Sequence, residues 1–384
     1  MRLTALLLTL ATPLAAQDCG APLPDFKAGV LAEATAMGIA PDVAEAFLSS
    51  AQIDPAVLKA DRAQGVFQLD FVTFSRRLIS TARLDAGKAM GQQYSDTFAQ
   101  IEAQYGIPRG VLLAFWAFET DYGAIQGDFN TRNALFTLAH DCRRPELFRP
   151  ELLAAMQLYA REDFDLGTTG AWAGEIGQVQ MLPRDIIAHA VDGDGDGHID
   201  LKGSADDALM SGAALLSALG WRANEPALQE ITVPESLDWS RTGLNHELPA
   251  ADWAALGVTG RGEALSDLPG AVLLPMGRNG PAFMAYPNFS VYFEWNQSLT
   301  YVTTAAYFAT RLAGAQIYDA GNADPGLDGA QMMALQEKLA ARGYDVGGID
   351  GILGEKTREA VQLEQARLGL PADAWPTAAL LGQL

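Results

Sequence analysis

The chain has 384 residues, 49% of them hydrophobic, and 47 acidic side chains against 26 basic ones give a formal net charge of -21. That is length enough to bury more than one core, so two domains are expected. The charge argues against nucleic acid or an anionic membrane surface as partner, since both are held by clustered lysine and arginine, and a neutral or cation-carrying ligand fits better.

Residues 1–16 combine Arg2, the apolar run Ala5 to Leu10 and the small pair Ala15-Ala16, which is the layout of a secretory signal peptide. The mature chain is therefore expected in the periplasm. Cys19 does not read as a lipid anchor, because Gln17 and Asp18 precede it where a lipoprotein signal has a small residue. No later segment has the long charge-free apolar run of a transmembrane helix, so a soluble protein with no membrane anchor is expected. In an oxidising compartment Cys19 and Cys142 either pair or stay as two buried thiols; the disulfide is the reading taken.

Up to about Asn224 the pattern is helical, with apolar residues at helical spacing in Phe26 to Ala36, Asp42 to Leu48 and Ile101 to Tyr105. Pro108 starts the next helix. Its apolar run from Val111 closes on Glu119, a position where desolvation raises a carboxyl pKa and suits it to act as a general acid; an ordinary solvated glutamate at a helix end is the plainer reading. Asp121, two residues on, points to another face and is expected to cap or to pair with a base, outside any reaction.

Glycines punctuate the stretch from Gly167 to Gly177. Between Gly170 and Pro183, Trp172 offers a flat face for a sugar ring and Gln180 can donate and accept hydrogen bonds, although a glycine-rich helix junction with a buried tryptophan is the commoner explanation. The run Asp192-Gly193-Asp194-Gly195-Asp196-Gly197-His198-Ile199 then reproduces the first part of an EF-hand loop, with the His198 carbonyl as a further ligand. The closing position holds Gly203 instead of glutamate, and Asp206 or Asp207 is expected to replace it. Without a cation this would be an Asp-Gly turn whose like charges repel. His189 and His198 lack the paired spacing of a zinc site, so no catalytic metal is expected.

Residues 225–296 read as a small β-containing subdomain, with Phe283 to Tyr286 and Phe289 to Phe293 as short alternating runs. A helix returns from Ser298 to Leu312, residues 319–327 have the composition of a linker, and 328–384 form a small helical unit.

In this order, Glu119-Thr120-Asp121-Tyr122-Gly123, Ala173 to Pro183, Gly195 to Ile199, and Asn288-Phe289 with Trp295-Asn296-Gln297-Ser298 resemble the B family of bacterial lytic murein transglycosylases, over about Phe26 to Leu312. Leu335-Gln336, Gly343-Tyr344, Gly348 to Gly354 and Thr357 to Val361 are similar to a small three-helix peptidoglycan-binding domain. The resemblance implies a mainly α protein. A lysozyme-like α-helical catalytic core (17–318, with the subdomain 225–296) is followed by the peptidoglycan-binding domain (328–384).

It also implies cleavage of the β-1,4 bond between N-acetylmuramic acid and N-acetylglucosamine to a 1,6-anhydromuramoyl end, with Glu119 as the single acid and base. Tyr122, Trp172, Gly177, Gln180 and Asn296 are the expected substrate-binding residues. Asp192, Asp194, Asp196, His198 and Asp206 are expected to hold a structural Ca2+, with no organic cofactor. Glycan strands of peptidoglycan are the expected partner, and wall-synthesis or division proteins a further class.

Three departures stand out: Ala171 where the family often has serine, Glu175 where it often has alanine, and Glu364 in place of a usual aromatic. Glu175 leaves open a hydrolase with two carboxylates. A wall-binding scaffold without catalysis is the other rival, against which an intact Glu119 and Gln180 argue.

Overall fold

The computed structural model describes residues 19–63 and 69–384, so the leader expected at 1–16 lies outside the described residues. These divide into two compact units, one of residues up to 62 with 127–175 and 182–187, the other of 63–126 with 176–181 and 188–384. Among the described residues no helix is long and apolar enough to cross a membrane.

The first unit is a helical cluster of Leu23–Ala36, Pro41–Ser49, Pro55–Asp61, Thr131–His140 and Pro145–Ala160. Pro41, Pro55 and Pro145 each sit in a first turn, where the missing N–H costs nothing. Phe26 and Phe136 meet edge to face at 5.3 Å in the core, and the Arg149 guanidinium lies 4.9 Å from the Phe26 ring centroid while it pairs with Glu33. Burial pushes the Asp61 carboxyl up, but Arg143 and Arg144 outweigh it and hold it below its ordinary value. A disulfide joins Cys19 to Cys142.

In the second unit the helix Arg109–Thr120 is buried on every side from Val111 to Ala117, as its uninterrupted apolar run requires. It lies against Leu299–Leu312, which Ser298 caps through the Tyr301 N–H. Gly110 is needed at this crossing: a Cβ there would stand 2.7 Å from the Ala309 carbonyl oxygen. Since Gly110 meets Ala309 while Glu119 meets Tyr301, the two helices run antiparallel.

A four-stranded antiparallel sheet follows, in the order Thr259–Gly260, Leu228–Thr232, Phe283–Ala285, Ala271–Leu273. It packs over Trp253, Val272 and Met284. The run Phe289 to Phe293, expected as extended, is helical (Asn288–Trp295). Its aromatics fit both periods, and buried Asn288 decides for the helix by bonding the Arg222 and Glu225 carbonyls.

The C-terminal helices Gly329–Ala341, Glu355–Arg367 and Ala378–Leu381 enclose a core of Leu335, Leu339 and Val361. Side chains of this domain also bind the subdomain backbone: Arg358 donates to the Leu274 and Pro275 carbonyls, Gln362 to those of Trp239 and Thr242, and Asp373 accepts from the Arg278 N–H. Glu364 is fully enclosed, bonded by Arg367 and Tyr344, and the Arg367 guanidinium holds its carboxyl below the usual range.

Because the disulfide closes a separation of 123 residues, it restricts the unfolded chain strongly. Reduction, or Cys19→Ser, is expected to cost about 2–4 kcal/mol in a urea unfolding curve. The reduced wild type and the variant should then coincide.

Candidate active site

Glu119 occupies the last turn of a helix that ends abruptly. Asp121 and Tyr122 take left-handed backbone angles (φ 51° and 60°) and Gly123 follows at 84°. Such angles are uncommon for a residue as bulky as tyrosine and cost about 1–3 kcal/mol each. Contacts on both sides hold the turn. Buried Thr120 donates its hydroxyl to the Gln178 carbonyl at 2.6 Å and accepts the Gly123 N–H at 2.9 Å. Asp121 accepts from Arg83 at 3.0 Å, a pairing with a base.

The Glu119 carboxyl receives two hydrogen bonds, both on Oε1: one from the Trp295 indole N–H at 3.1 Å and one from the Tyr301 hydroxyl. Among the described residues Oε2 has no partner. Trp295 is itself stacked on Phe115 with ring centroids 4.3 Å apart, and Tyr301 lies edge-on to Phe118. Desolvation raises the Glu119 pKa above its ordinary value, and the hydrogen bonds of Tyr301 and Trp295 oppose that rise. Burial and the adjoining Glu119 carboxyl push the Tyr301 hydroxyl far up, so it is a donor and not a base.

An indole N–H can only donate. With Oε1 serving two donors, the acid proton belongs on Oε2. The arrangement suits a carboxylic acid that carries its proton on the free oxygen and spreads the charge left behind over the other. Bonds to a charged acceptor are worth about 1.5–3 kcal/mol against 0.5–1.5 for a neutral one, so the pair favours the ionised form once the proton has gone.

The other expected residues fall into distinct environments. Tyr122 is half-buried, edge-on to Trp116, and its hydroxyl is committed to the Arg83 carbonyl at 2.9 Å, which makes it a packing group instead of open contact surface. Gly177 has φ 83°, and the room its missing side chain leaves is taken by Leu201, whose carbonyl oxygen would be 2.6 Å from a Cβ. Gln180 donates its amide to the Gly177 and Gln126 carbonyls, leaving Oε1 unpartnered among the described residues. Asn296 follows Trp295 and accepts the Ser298 N–H, and among the described residues its amide nitrogen has no acceptor. Trp172, half-buried, and Glu175 belong to the first unit, in a turn closed by the Ala171 N–H on the Glu175 carbonyl.

Three residues were missed in the sequence. Trp295, quoted in a motif but given no role, and Tyr301 lie far from Glu119 along the chain, Trp295 at the end of the helix Asn288–Trp295 and Tyr301 on the crossing helix. Gln178 is buried, accepts from Trp116 at 3.1 Å and donates to Lys202, joining the Glu119 helix to the end of the aspartate loop.

In that loop the carboxylate oxygens of Asp192, Asp194 and Asp196 lie within 4.8 Å of one another, a donor set that suits a hard cation. Asp206 departs from expectation. It accepts the Thr97 hydroxyl, while Asp207 takes the N–H groups of Gly193, Asp194 and Asp200. Successive residues in a helical turn point apart, so Asp207 faces the loop as a tether and Asp206 faces away.

Glu119 binds its proton more tightly in the folded chain than in the unfolded one, where its pKa is about 4.3. Its stability contribution is thus complete below that pH and is lost as pH rises towards the folded value. Glu119→Gln is expected to melt higher than the wild type near pH 8, by about 1–3 kcal/mol, and equally near pH 4, as scanning calorimetry would show.

The Transglycosylase SLT domain model matches residues 24–310, and a peptidoglycan binding domain model matches 328–384. Membrane-bound lytic murein transglycosylase B of Escherichia coli is 27% identical over 252 residues, 64% of this chain and 68% of that one. SltB3 of Pseudomonas aeruginosa, solved with NAG-anhNAM-pentapeptide, is 34% identical with a TM-score of 0.86, covering 95% of this chain and 99% of that one. Slt35 of Escherichia coli, solved in complex with calcium, shares the fold at 24% identity and a TM-score of 0.66, over 77% of this chain and 96% of that one.

Proposed function

The chain belongs to the transglycosylase SLT domain family as a lytic transglycosylase B-like protein with a peptidoglycan-binding domain, and on that premise we propose that it cleaves peptidoglycan without water, through Glu119 alone. The observation that carries this reading is the desolvated carboxyl with both donors on Oε1.

Glu119 gives its Oε2 proton to the bridging oxygen as the bond from the N-acetylmuramic acid anomeric carbon to N-acetylglucosamine breaks. N-acetylglucosamine leaves with a new hydroxyl. The muramoyl C6 oxygen then bonds to the anomeric carbon, and its proton passes to the Glu119 carboxylate, restoring the acid and closing the 1,6-anhydro ring. No atom is gained or lost, so no second carboxylate is needed to activate water, unlike in a hydrolase. Trp295 and Tyr301 steady the carboxylate between the two transfers. Gln180 Oε1 and the Asn296 amide offer an acceptor and a donor to sugar hydroxyl and acetamido groups. The reading includes export to the periplasm, where the disulfide would persist.

Asp192, Asp194, Asp196 and the His198 carbonyl would hold a structural Ca2+, whose chemistry is neutralisation of the loop's charge. Asp207 ties that loop to its following helix, and Gln178 ties the loop's end to the Glu119 helix.

Mass spectrometry of fragments released from purified sacculi tests the mechanism. Wild type is expected to release anhydromuramoyl ends, and Glu119→Gln to lose about 10²–10⁴-fold in rate. Reducing muramic acid ends that vanish in Glu175→Ala would instead make the protein a hydrolase. For the loop, Ca2+ at a hundred times its Kd should add about 2.7 kcal/mol to stability, and Asp194→Asn should abolish the response in a thermal melt. An equal response to Mg2+ would contradict a Ca2+ site.

A further inference from the structure

A cavity of about 340 Å³ lies where the C-terminal domain meets the catalytic part, and Glu119 is not in its wall. Asp70, Phe71 and Thr300 line it from one side and Asp324, Arg358 and Trp375 from the other, with Asp328 beside them. Arg358 is only 8% exposed. Its terminal nitrogens donate to the Leu274 and Pro275 carbonyls, but its Nε–H has no acceptor among the described residues. A buried donor left unpaired costs about 1–3 kcal/mol, a cost that a bound acceptor would remove.

Trp375 is fixed in this wall. Its indole N–H donates to the Asp324 carbonyl at 2.8 Å, and a Cβ at Gly277 or Gly326 would come within 2.6 or 2.8 Å of its side chain. The three carboxylates are each only partly used. Asp70 accepts the Thr73 N–H on one oxygen and the Thr73 hydroxyl on the other, Asp328 accepts the Gln331 N–H as a helix cap, Asp324 accepts from the Asn279 amide, and among the described residues none of the three pairs with a basic side chain. Lone pairs therefore remain to be filled.

This wall selects by charge and by donor pattern. Three carboxylates repel an anion, and a simple cation would leave the Arg358 Nε–H without an acceptor. What satisfies all four groups is a neutral ligand with several hydroxyl donors and one strong acceptor, beside an aromatic wall. Within peptidoglycan that is an N-acetylated amino sugar, whose carbonyl would accept from Arg358 and whose hydroxyls would donate to the aspartates; the stem peptides, with their own carboxylates, fit less well.

We infer that this cavity is a second glycan-binding site, built jointly by the catalytic part and the C-terminal domain, that takes an N-acetylated sugar residue. The inference rests on the peptidoglycan reading of the previous subsection. Thr300 precedes Tyr301, so a sugar held here would rest on the first turn of the helix that reaches Glu119.

Titration calorimetry of the full mature chain as Glu119→Gln, with tetra-N-acetylchitotetraose as probe, tests it. Two sites are expected. Adding Ala323→Trp, which fills the cavity without removing a hydrogen bond, should leave one, and Arg358→Gln should weaken the same site about tenfold or more. A site count that Ala323→Trp does not change would overturn the inference, as would displacement of the sugar from that site by a sugar-free stem peptide. If no Ala323-sensitive site exists while the wild type still releases anhydro fragments, only the cavity proposal fails. No sugar binding and no anhydro fragments would bring down the glycan reading itself.

Discussion

One oxygen atom of Glu119 carries both of the carboxyl's hydrogen bonds, and the rest of the site follows from that asymmetry. If Trp295 and Tyr301 had each taken a different oxygen, neither oxygen would stand free of a donor. With both on Oε1, burial favours the protonated form while the two donors support the anion that remains. The supports are distributed: Gly110 lets the two helices cross closely enough for Tyr301 to reach, Phe115 stacks under Trp295, and Thr120 locks the end of the helix to Gln178.

The same construction continues outward. Gln178 and Asp207 join the Glu119 helix to the aspartate loop through backbone groups, so the order of that loop and the position of the acid are coupled mechanically. At the C-terminal end, Arg358 and Gln362 bind backbone carbonyls of the subdomain, and Asp373 accepts from both the backbone N–H and the guanidinium of Arg278. Glu364, where a usual aromatic would lie, is neutralised by Arg367 and closed by Tyr344, so the substitution is absorbed inside the domain.

How much of this was legible along the chain depended on how local each signal was. The buried Glu119 helix, its start at Pro108, the helix after Ser298 and the strand at Phe283 follow from periodicity and capping, which act over a few neighbouring residues. The helix Asn288–Trp295 was misread because a short aromatic run fits either period, and the buried Asn288 that decides the matter bonds residues distant in sequence. The roles of Trp295 and Tyr301 were hidden for a related reason: a donor to Glu119 is defined by how distant helices meet, not by composition. Among the expected contact residues, Tyr122 and Gly177 have packing partners that account for their type, whereas Gln180 and Asn296 keep polar atoms free. Asp206 shows the limit of loop spacing as a guide, since one residue's rotation around a helix turned it towards Thr97.

The central claim is that Glu119 is held as a neutral acid, and infrared difference spectroscopy of the wild type against Glu119→Gln measures this directly. Across a titration from about pH 4 to 8, the account predicts a protonated carboxylic acid band that belongs to Glu119 and persists well above the ordinary glutamate value of about 4.3. A carboxylate band already complete near pH 5 would contradict it.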